Sequence, residues 1–153
     1  MGRSSLIAVL FAGAAALVAG PALAADILGR WATEEEKSHV EIVTCADAPE
    51  MLCGTIVWLR EPNDDAGQPK TDRNNPDEAL RGRPIIGLPL LSGFIAGQEP
   101  NVWEDGKIYN PEDGEVYSCV MTLMEDGSLV VRGYVGIPLL GESQVWTRVP
   151  RDS

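Results

Sequence analysis

The sequence predicts an all-β fold, and two features of its pattern support this. Apolar runs of strand length recur along the chain, and Gly, Pro, Asn and Asp residues separate them. After the N-terminal segment, no stretch keeps the apolar period of about 3.6 residues that an amphipathic helix needs. With no internal repeat or linker, residues 25–153 are expected to form a single small antiparallel domain.

The N-terminal segment has the features of a cleavable export signal. Arg3 precedes an apolar run over residues 6–18, and Ala22 and Ala24 occupy the two small-residue positions that a signal peptidase reads. The run is shorter than the roughly 20 apolar residues that span a bilayer, which disfavours a membrane anchor. We therefore predict a signal peptide over residues 1–24 and a periplasmic or secreted protein with no integral membrane segment after processing.

The chain is strongly acidic, with 12 Lys and Arg residues against 23 Asp and Glu residues. Because Arg3 is the only charged residue of the predicted signal, the processed chain carries 11 basic and 23 acidic residues, which is a net charge of −12. Such a surface repels phosphate, so nucleic acid is not expected as a partner. A cation, a cationic peptide or a neutral apolar ligand is compatible with it, and so is a role of the charge in solubility alone.

The first three predicted strands cover residues 29–33, 38–45 and 54–60. A turn-like segment separates the second strand from the third, so a hairpin would bring Cys45 and Cys53 together, and export permits a disulfide between them. Cys119 is then left unpaired. It falls within a later strand pattern, where a buried and unreactive thiol is expected.

Residues 61–83 form a long polar stretch without a strand pattern. We expect a solvated acidic loop here, with one helical turn within residues 75–80. A loop of this length in a compact domain is typically mobile or functional. Its acidic residues do not have the spacing of a calcium-binding loop, so no metal site is predicted.

The remaining strands are predicted at residues 85–94, 102–109, 116–124, 128–135 and 143–149. Turn residues at 110–114 and 125–127 join the middle ones into hairpins. Alternation in the second of these hairpins assigns the more apolar face inward, with the members Tyr117, Cys119, Met121, Leu123, Leu129, Val131, Gly133 and Val135. Arg132 and Tyr134 then face outward or line an opening.

No catalytic residue is predicted. The single histidine, His39, begins a strand beside a charged stretch without a nucleophile motif, which favours a surface histidine over a catalytic one. Zinc needs three or four ligands, and the disulfide already explains two cysteines. A hydrolase that uses two carboxylates of the long loop stays open as a less favoured alternative. We predict that the protein is not an enzyme and has no cofactor.

Short motifs at the two ends of the domain resemble the signature of calycins, the group that contains the lipocalins. Gly29-Arg30-Trp31 opens the first strand, and Trp146-Thr147-Arg148 closes the last. The resemblance implies a structural role for Gly29, Trp31 and Arg148. Gly29 permits a close approach of the chain, and the Arg148 guanidinium stacks over the Trp31 ring at one end of a barrel.

A longer series of motifs is similar to the secreted bacterial family called domain of unknown function 2147. In chain order these motifs are residues 52–59, Asp72 with Asn75-Pro76, residues 80–84, Gly87-Leu88, residues 103–114, Tyr117, Leu129, Arg132-Gly133-Tyr134 and Trp146-Thr147-Arg148. They cover nearly all of the chain after the signal. The resemblance implies an exported, lipocalin-like, antiparallel up-and-down β-barrel of about eight strands, and it implies no established activity or catalytic residue.

The mouth of such a barrel is a common ligand site. We predict that a small hydrophobic or amphipathic ligand binds there, lined by Trp58, Arg81, Arg83, Trp103, Tyr109 and Tyr117. The aromatic members fit a packed core equally well. Arg81 and Arg83 either bind an acidic head group or hold the loop through Asp72 or Asp77. The alternative function is an envelope protein-interaction module with a filled barrel and the long loop as its contact.

Overall fold

The computed structural model describes residues 27–151, which form a closed barrel of eight antiparallel strands in up-and-down order. The strands are β1 Gly29–Ala32, β2 Ser38–Thr44, β3 Leu52–Leu59, β4 Pro89–Ala96, β5 Val102–Asn110, β6 Glu115–Leu123, β7 Leu129–Tyr134 and β8 Glu142–Arg148. Short 3-10 turns lie at Glu34–Glu36, Glu78–Leu80 and Pro138–Leu140. The predicted fold class is confirmed. The predicted signal peptide over residues 1–24 lies outside the described residues.

Pairing between the first and last strands closes the barrel. Trp31 of β1 lies opposite Arg148 of β8, and Ala32 lies opposite Thr147. Each other strand pairs with its neighbour in sequence. Closure pairs the backbone groups that the two end strands would otherwise leave open, so the described barrel has no free sheet edge.

The fourth strand begins later than its apolar pattern predicts. It starts at Pro89 and not at residue 85, because the chain turns at Gly87, whose φ of 98° is a conformation that favours glycine. The backbone of Ile56 holds this turn, donating to the carbonyl of Leu88 and accepting from the N–H of Gly87. Ile85, just before the turn, is buried without belonging to the strand. Ile85 is buried by the packing of the loop. An apolar run in the sequence does not distinguish a residue buried in this way from a residue buried in a strand.

Side chains that alternate inward fill the barrel interior. The predicted inward face is confirmed at Cys119, Met121, Leu129 and Val131, all of which are buried, whereas Val135 lies past the end of β7 and is exposed. The core cluster consists of Ile27, Trp31, Val40, Ile42, Leu52, Ile56, Ile85, Leu88, Leu90, Leu91, Phe94, Trp103, Cys119, Met121, Leu129, Val131 and Trp146. Packing is tight enough that a Cβ atom at Gly106 would collide with the ring of Phe94.

One end of the barrel is closed by the residues of the calycin-like motifs. The guanidinium carbon of Arg148 lies 4.1 Å from the centroid of the Trp31 ring. Arg148 Nη1 donates to the carbonyl of Leu28 at 2.7 Å, and Trp31 Nε1 donates to the carbonyl of Ile27 at 2.9 Å. Gly29 has a φ of 117°, and a Cβ atom there would lie 3.2 Å from Arg148 Nη1. These contacts are the structural role that the resemblance implies.

The same end carries the β2–β3 hairpin with its disulfide. Cys45 and Cys53 are bonded, which confirms the predicted pairing. β3 begins at Leu52, so Cys53 lies within the strand, while Cys45 directly follows β2. The disulfide therefore fixes the base of the turn that joins the two strands.

Candidate functional site

The barrel mouth is the end that holds the loops of irregular structure. In an up-and-down barrel the β1–β2, β3–β4, β5–β6 and β7–β8 connections lie at the same end. Here they comprise residues 33–37, 60–88, 111–114 and 135–141. The remaining connections and the disulfide lie at the opposite, closed end. The connections at the mouth therefore differ most from one another in length.

The long β3–β4 loop is fastened by a buried carboxylate, Asp72. This residue is fully buried, although the sequence predicts that it lies in a solvated acidic loop, and that prediction is wrong for it. Its Oδ1 accepts from the hydroxyl of Tyr109 at 2.6 Å. Its Oδ2 accepts from Asn75 Nδ2 at 2.8 Å and from Arg83 Nε and Nη2, each at 2.9 Å. Burial is tolerated because four donors satisfy the carboxylate.

This network sets the protonation state of Asp72. Burial by itself raises the pKa of the carboxyl, but hydrogen bonds from Tyr109, Asn75 and Arg83, with the positive charge of Arg83, outweigh it and hold the pKa below its ordinary value. The same arrangement raises the pKa of the Tyr109 hydroxyl, through burial and its bond to the Asp72 carboxylate. Asp72 is thus an anion that serves as a fastening point.

A second set of contacts joins the long loop to the β5–β6 turn. Asn74 Nδ2 donates to the carbonyls of Pro111 at 3.0 Å and Glu112 at 2.9 Å. Gly114 lies against the backbone of Asn74, where a Cβ atom would collide. The loop is therefore attached at both the wall of β5 and the turn that follows it, although its sequence is polar and rich in proline.

The six residues predicted to line a ligand site do not converge. Trp103 is buried at the start of β5, next to the closed end, and belongs to the core. Trp58 stacks on His39 with ring centroids 4.3 Å apart. Tyr117 donates to Asp113 Oδ2 at 2.7 Å. Only Tyr109 and Arg83 come together, and they do so around Asp72 with the guanidinium carbon 5.7 Å from the ring centroid.

Arg81 and Arg83 bind different groups of the long loop. Arg81 follows the 3-10 turn Glu78–Leu80 in a helical conformation. Its Nε donates to the carbonyl of Asn75 at 2.8 Å, whereas Arg83 binds Asp72. Both residues fasten the loop, and Asp77 instead caps the 3-10 turn by accepting from the N–H of Ala79.

Two clefts on residues 27–151 lie away from the mouth. One of about 720 Å³ is lined by residues 28–30, 41–44 and 149–151, and one of about 310 Å³ is lined by Gln98, Glu99, Val102 and Glu104. Both sets of residues belong to the closed end of the barrel. The barrel interior, in contrast, is occupied by the core cluster.

The β7–β8 loop exposes more apolar surface than any sequence pattern indicated. We call Val116, Val135, Ile137, Leu139 and Leu140 the apolar rim; their exposed fractions are 60%, 71%, 53%, 81% and 75%. Val116 is included because it lies two residues before Ser118, which pairs with Tyr134 at the end of β7, the strand that leads into this loop. The available sequence signal was an apolar run between Gly136 and Gly141, where two strands are usually joined by a polar turn.

Arg132 holds this loop against the outside of the barrel. Its Nε donates to the carbonyl of Pro138 at 2.6 Å, its Nη2 to that of Leu139 at 3.3 Å, and its Nη1 to Ser143 Oγ at 2.8 Å. Arg132 faces outward, as the alternation predicts. These hydrogen bonds tie the 3-10 turn to both β7 and β8.

His39 is partly buried and Cys119 is fully buried. His39 is not a surface residue as predicted: its side chain is 13% exposed, and its Nε2 lies 3.5 Å from Glu36 Oε1. Burial raises the pKa of the Cys119 thiol to about 12, which keeps it protonated. Among residues 27–151, no three His, Cys, Asp or Glu side chains group as metal ligands. No helix in this range has the length and apolar character to cross a membrane.

Comparison with known proteins agrees with this architecture. Residues 29–148 match the profile of a family described as DUF2147, an uncharacterized protein conserved in bacteria. A solved structure described as protein HP1028 from the human pathogen Helicobacter pylori, which belongs to the lipocalin family, is similar with a TM-score of 0.69. The two chains are 23% identical over 82% of this chain and 84% of that one, which shows a shared fold. No curated protein matches the sequence.

Proposed function

We propose that this chain, which belongs to the DUF2147 family of bacterial proteins, is a protein-interaction module that binds its partner through the apolar rim of a filled barrel. The observation that carries the proposal is the β7–β8 loop, where Ile137, Leu139 and Leu140 are exposed and Arg132 binds the backbone. Contiguous exposed apolar surface on a soluble domain marks interaction sites.

The free energy of burying apolar side chains favours a bound partner over an uncovered loop. Fully burying one Leu or Ile side chain contributes about 1.5–3 kcal/mol. Leu139 and Leu140 lose this contribution in the free protein, where Arg132 binds the backbone of their loop. A binding partner that covers these side chains would recover it.

The filled interior supports the same choice. A ligand of drug size needs a cavity of roughly 300 Å³ or more. Space of that size inside the barrel is taken by the core, with Phe94 packed on Gly106 and Leu91 packed on Gly54. Asp72 offers no reactive carboxylate either, since its two oxygens accept four hydrogen bonds, so the proposal includes no catalytic step.

A small hydrophobic or amphipathic ligand is the second candidate. It has the support of the lipocalin fold, and it requires that the β3–β4 loop leave Tyr109 and that core side chains move. We also propose export to the cell envelope, which is compatible with both candidates. The Cys45–Cys53 disulfide is consistent with an oxidising compartment outside the cytoplasm.

Photo-crosslinking in the producing bacterium tests the proposal. Benzoylphenylalanine replaces Leu139 in one variant and Met124 in a control, since Met124 is an exposed apolar residue of the β6–β7 connection at the closed end. We expect a discrete protein adduct from position 139 and none from position 124. Absence of an adduct at 139, together with a small molecule retained in native mass spectrometry, would replace this proposal with the ligand candidate.

A further inference from the structure

We infer that the partner presents apolar side chains flanked by Lys or Arg, so that its contact segment is both hydrophobic and cationic. This inference rests on the proposed function and specifies the partner's chemistry. The charged side chains around the apolar rim support it, independently of the apolar area that the rim exposes.

Carboxylates border the apolar rim on two sides. We call Glu112, Asp113, Glu115 and Glu142 the acidic border; all four are exposed. Glu142 begins β8 directly after the β7–β8 loop, and the other three belong to the β5–β6 turn and the start of β6, the strand that carries Val116. Any segment that covers the apolar rim therefore approaches this border.

Tyr117, two residues after Glu115 on β6, interacts with carboxylates of both parts of the border. The pKa of the Tyr117 hydroxyl is raised by its hydrogen bond to Asp113, then by burial, and then by the negative charges of Asp113, Glu115 and Glu142. Carboxylates from both β6 and β8 therefore act on the same point. Carboxylates of the border thus lie close enough together to act on one side chain, which favours positive charge on a partner.

The basic groups nearby do not cancel this border. Arg132 donates to two loop carbonyls and to Ser143 Oγ, and Lys107 Nζ donates to Ser118 Oγ at 2.9 Å. Both lie on the outer wall, on residues whose side chains point away from the barrel axis. Lys37, which pairs with Glu35, also interacts with the charge of Glu112. Four carboxylates of the border therefore outnumber the three cations beside them.

The charge balance argues against two other occupants. The whole chain has a formal net charge of −11, so a second copy docked rim to rim would bring two acidic borders together. An anionic membrane surface would be repelled for the same reason. A cationic, apolar protein segment gains both hydrophobic burial and electrostatic attraction.

A pair of matched peptides tests the inference with the whole processed protein. One labelled amphipathic peptide is built from Leu and Lys, and its counterpart from Leu and Glu, and binding is followed by fluorescence anisotropy. We expect the Leu/Lys peptide to bind and the Leu/Glu peptide to bind at least about tenfold more weakly, a difference of about 1.4 kcal/mol. Leu139→Ser/Leu140→Ser should weaken Leu/Lys binding about tenfold or more, and Met124→Ser should not change it.

Charge variants separate the two parts of the interaction. Glu115→Gln/Glu142→Gln should weaken Leu/Lys binding several-fold and flatten its dependence on salt, since two carboxylates of the border lose their charge. These residues are exposed, so the variants should fold as the parent does. Circular dichroism and an unchanged unfolding midpoint verify this.

The outcomes distinguish this inference from the proposed function. If both peptides bind equally and Leu139→Ser/Leu140→Ser abolishes both, the apolar rim is a binding surface but its partner is not cationic. If the Leu/Lys peptide does not bind, or binds the serine variant as tightly as the parent, the inference is overturned together with the rim as the site. If the parent binds phosphatidylglycerol vesicles and the serine variant does not, the rim is a membrane-binding surface. If the parent forms a dimer in sedimentation velocity and the serine variant does not, the rim binds a second copy.

Discussion

Replacing Asp72 with Asn should destabilise the protein more than any other single change in the long loop. The carboxylate is fully buried and accepts four hydrogen bonds, three of them from Asn75 and Arg83. An amide in its place presents an NH₂ group to at least one of these donors and leaves the Arg83 guanidinium without its anion. Removing one partner of a buried ion pair costs about 3–5 kcal/mol.

The structure places the expected value at or slightly below the lower limit of that range. The Arg83 side chain is 32% exposed, so it regains part of its hydration when the anion is removed. We expect Asp72→Asn to lower the free energy of unfolding by about 2–3 kcal/mol. Tyr109→Phe, which removes a single hydroxyl donor, should lower it by about 1 kcal/mol.

Urea denaturation followed by tryptophan fluorescence measures these differences. Asp65→Asn is the control, because Asp65 is an exposed carboxylate of the same loop and its substitution should change the free energy of unfolding by less than about 0.5 kcal/mol. Hydrogen exchange should also accelerate at the amides of Asp72 and Arg83, which bond within the loop. A free energy of unfolding for Asp72→Asn that matches the control would refute the assignment of Asp72 as the fastening point.

The same network predicts the direction of a pH dependence. In the folded state the pKa of Asp72 lies below its ordinary value of 3.8, so the unfolded state binds the proton more readily. The contribution of Asp72 to stability is therefore complete above the unfolded pKa and is lost as the pH falls through the folded value. The difference in unfolding free energy between the parent and Asp72→Asn should shrink on acidification below about pH 4.

Three further predictions concern the closed end and the core. Arg148→Ala should lower the free energy of unfolding by about 1–2 kcal/mol in urea denaturation, because the contact with the Trp31 ring and its packing are lost; an unchanged midpoint would contradict the closing role of this pair. Cys45→Ser/Cys53→Ser should lower it by about 2–3 kcal/mol, since the bond closes a loop with a sequence separation of 8, and a loss below about 0.5 kcal/mol would show that the hairpin is ordered without it. Cys119 should not react with a thiol reagent at neutral pH in the native protein and should react fully in urea, and rapid native labelling would disprove its burial.

The strand and turn pattern could be predicted from the sequence because its causes are local. Alternation of apolar and polar residues identified the inward face of β6 and β7, and Gly and Pro at 110–114 identified the turn before them. The Cys45–Cys53 pairing followed from a hairpin within a short segment. Each of these features depends on residues that are close together along the chain.

The properties of the mouth could not be predicted in this way, because they depend on residues that are distant in sequence. Asp72 is separated from Tyr109 by 37 positions, and only the packing of the loop against β5 decides that this carboxylate is buried and ionised. Ile85 has the apolar character of a strand residue, yet the turn at Gly87 places it in a loop.

The contrast is greatest between the aromatic residues and the β7–β8 loop. Trp58 and Trp103 are of a residue type that often lines ligand sites. Strand register and barrel closure instead place Trp58 against His39 and Trp103 in the core. Leu139 and Leu140 are of a residue type that usually lies in the core. Both are exposed here, on a loop whose carbonyls accept hydrogen bonds from Arg132. Apolar character was determined by the sequence alone, whereas burial or exposure of each apolar side chain was decided by the tertiary contacts of its neighbours.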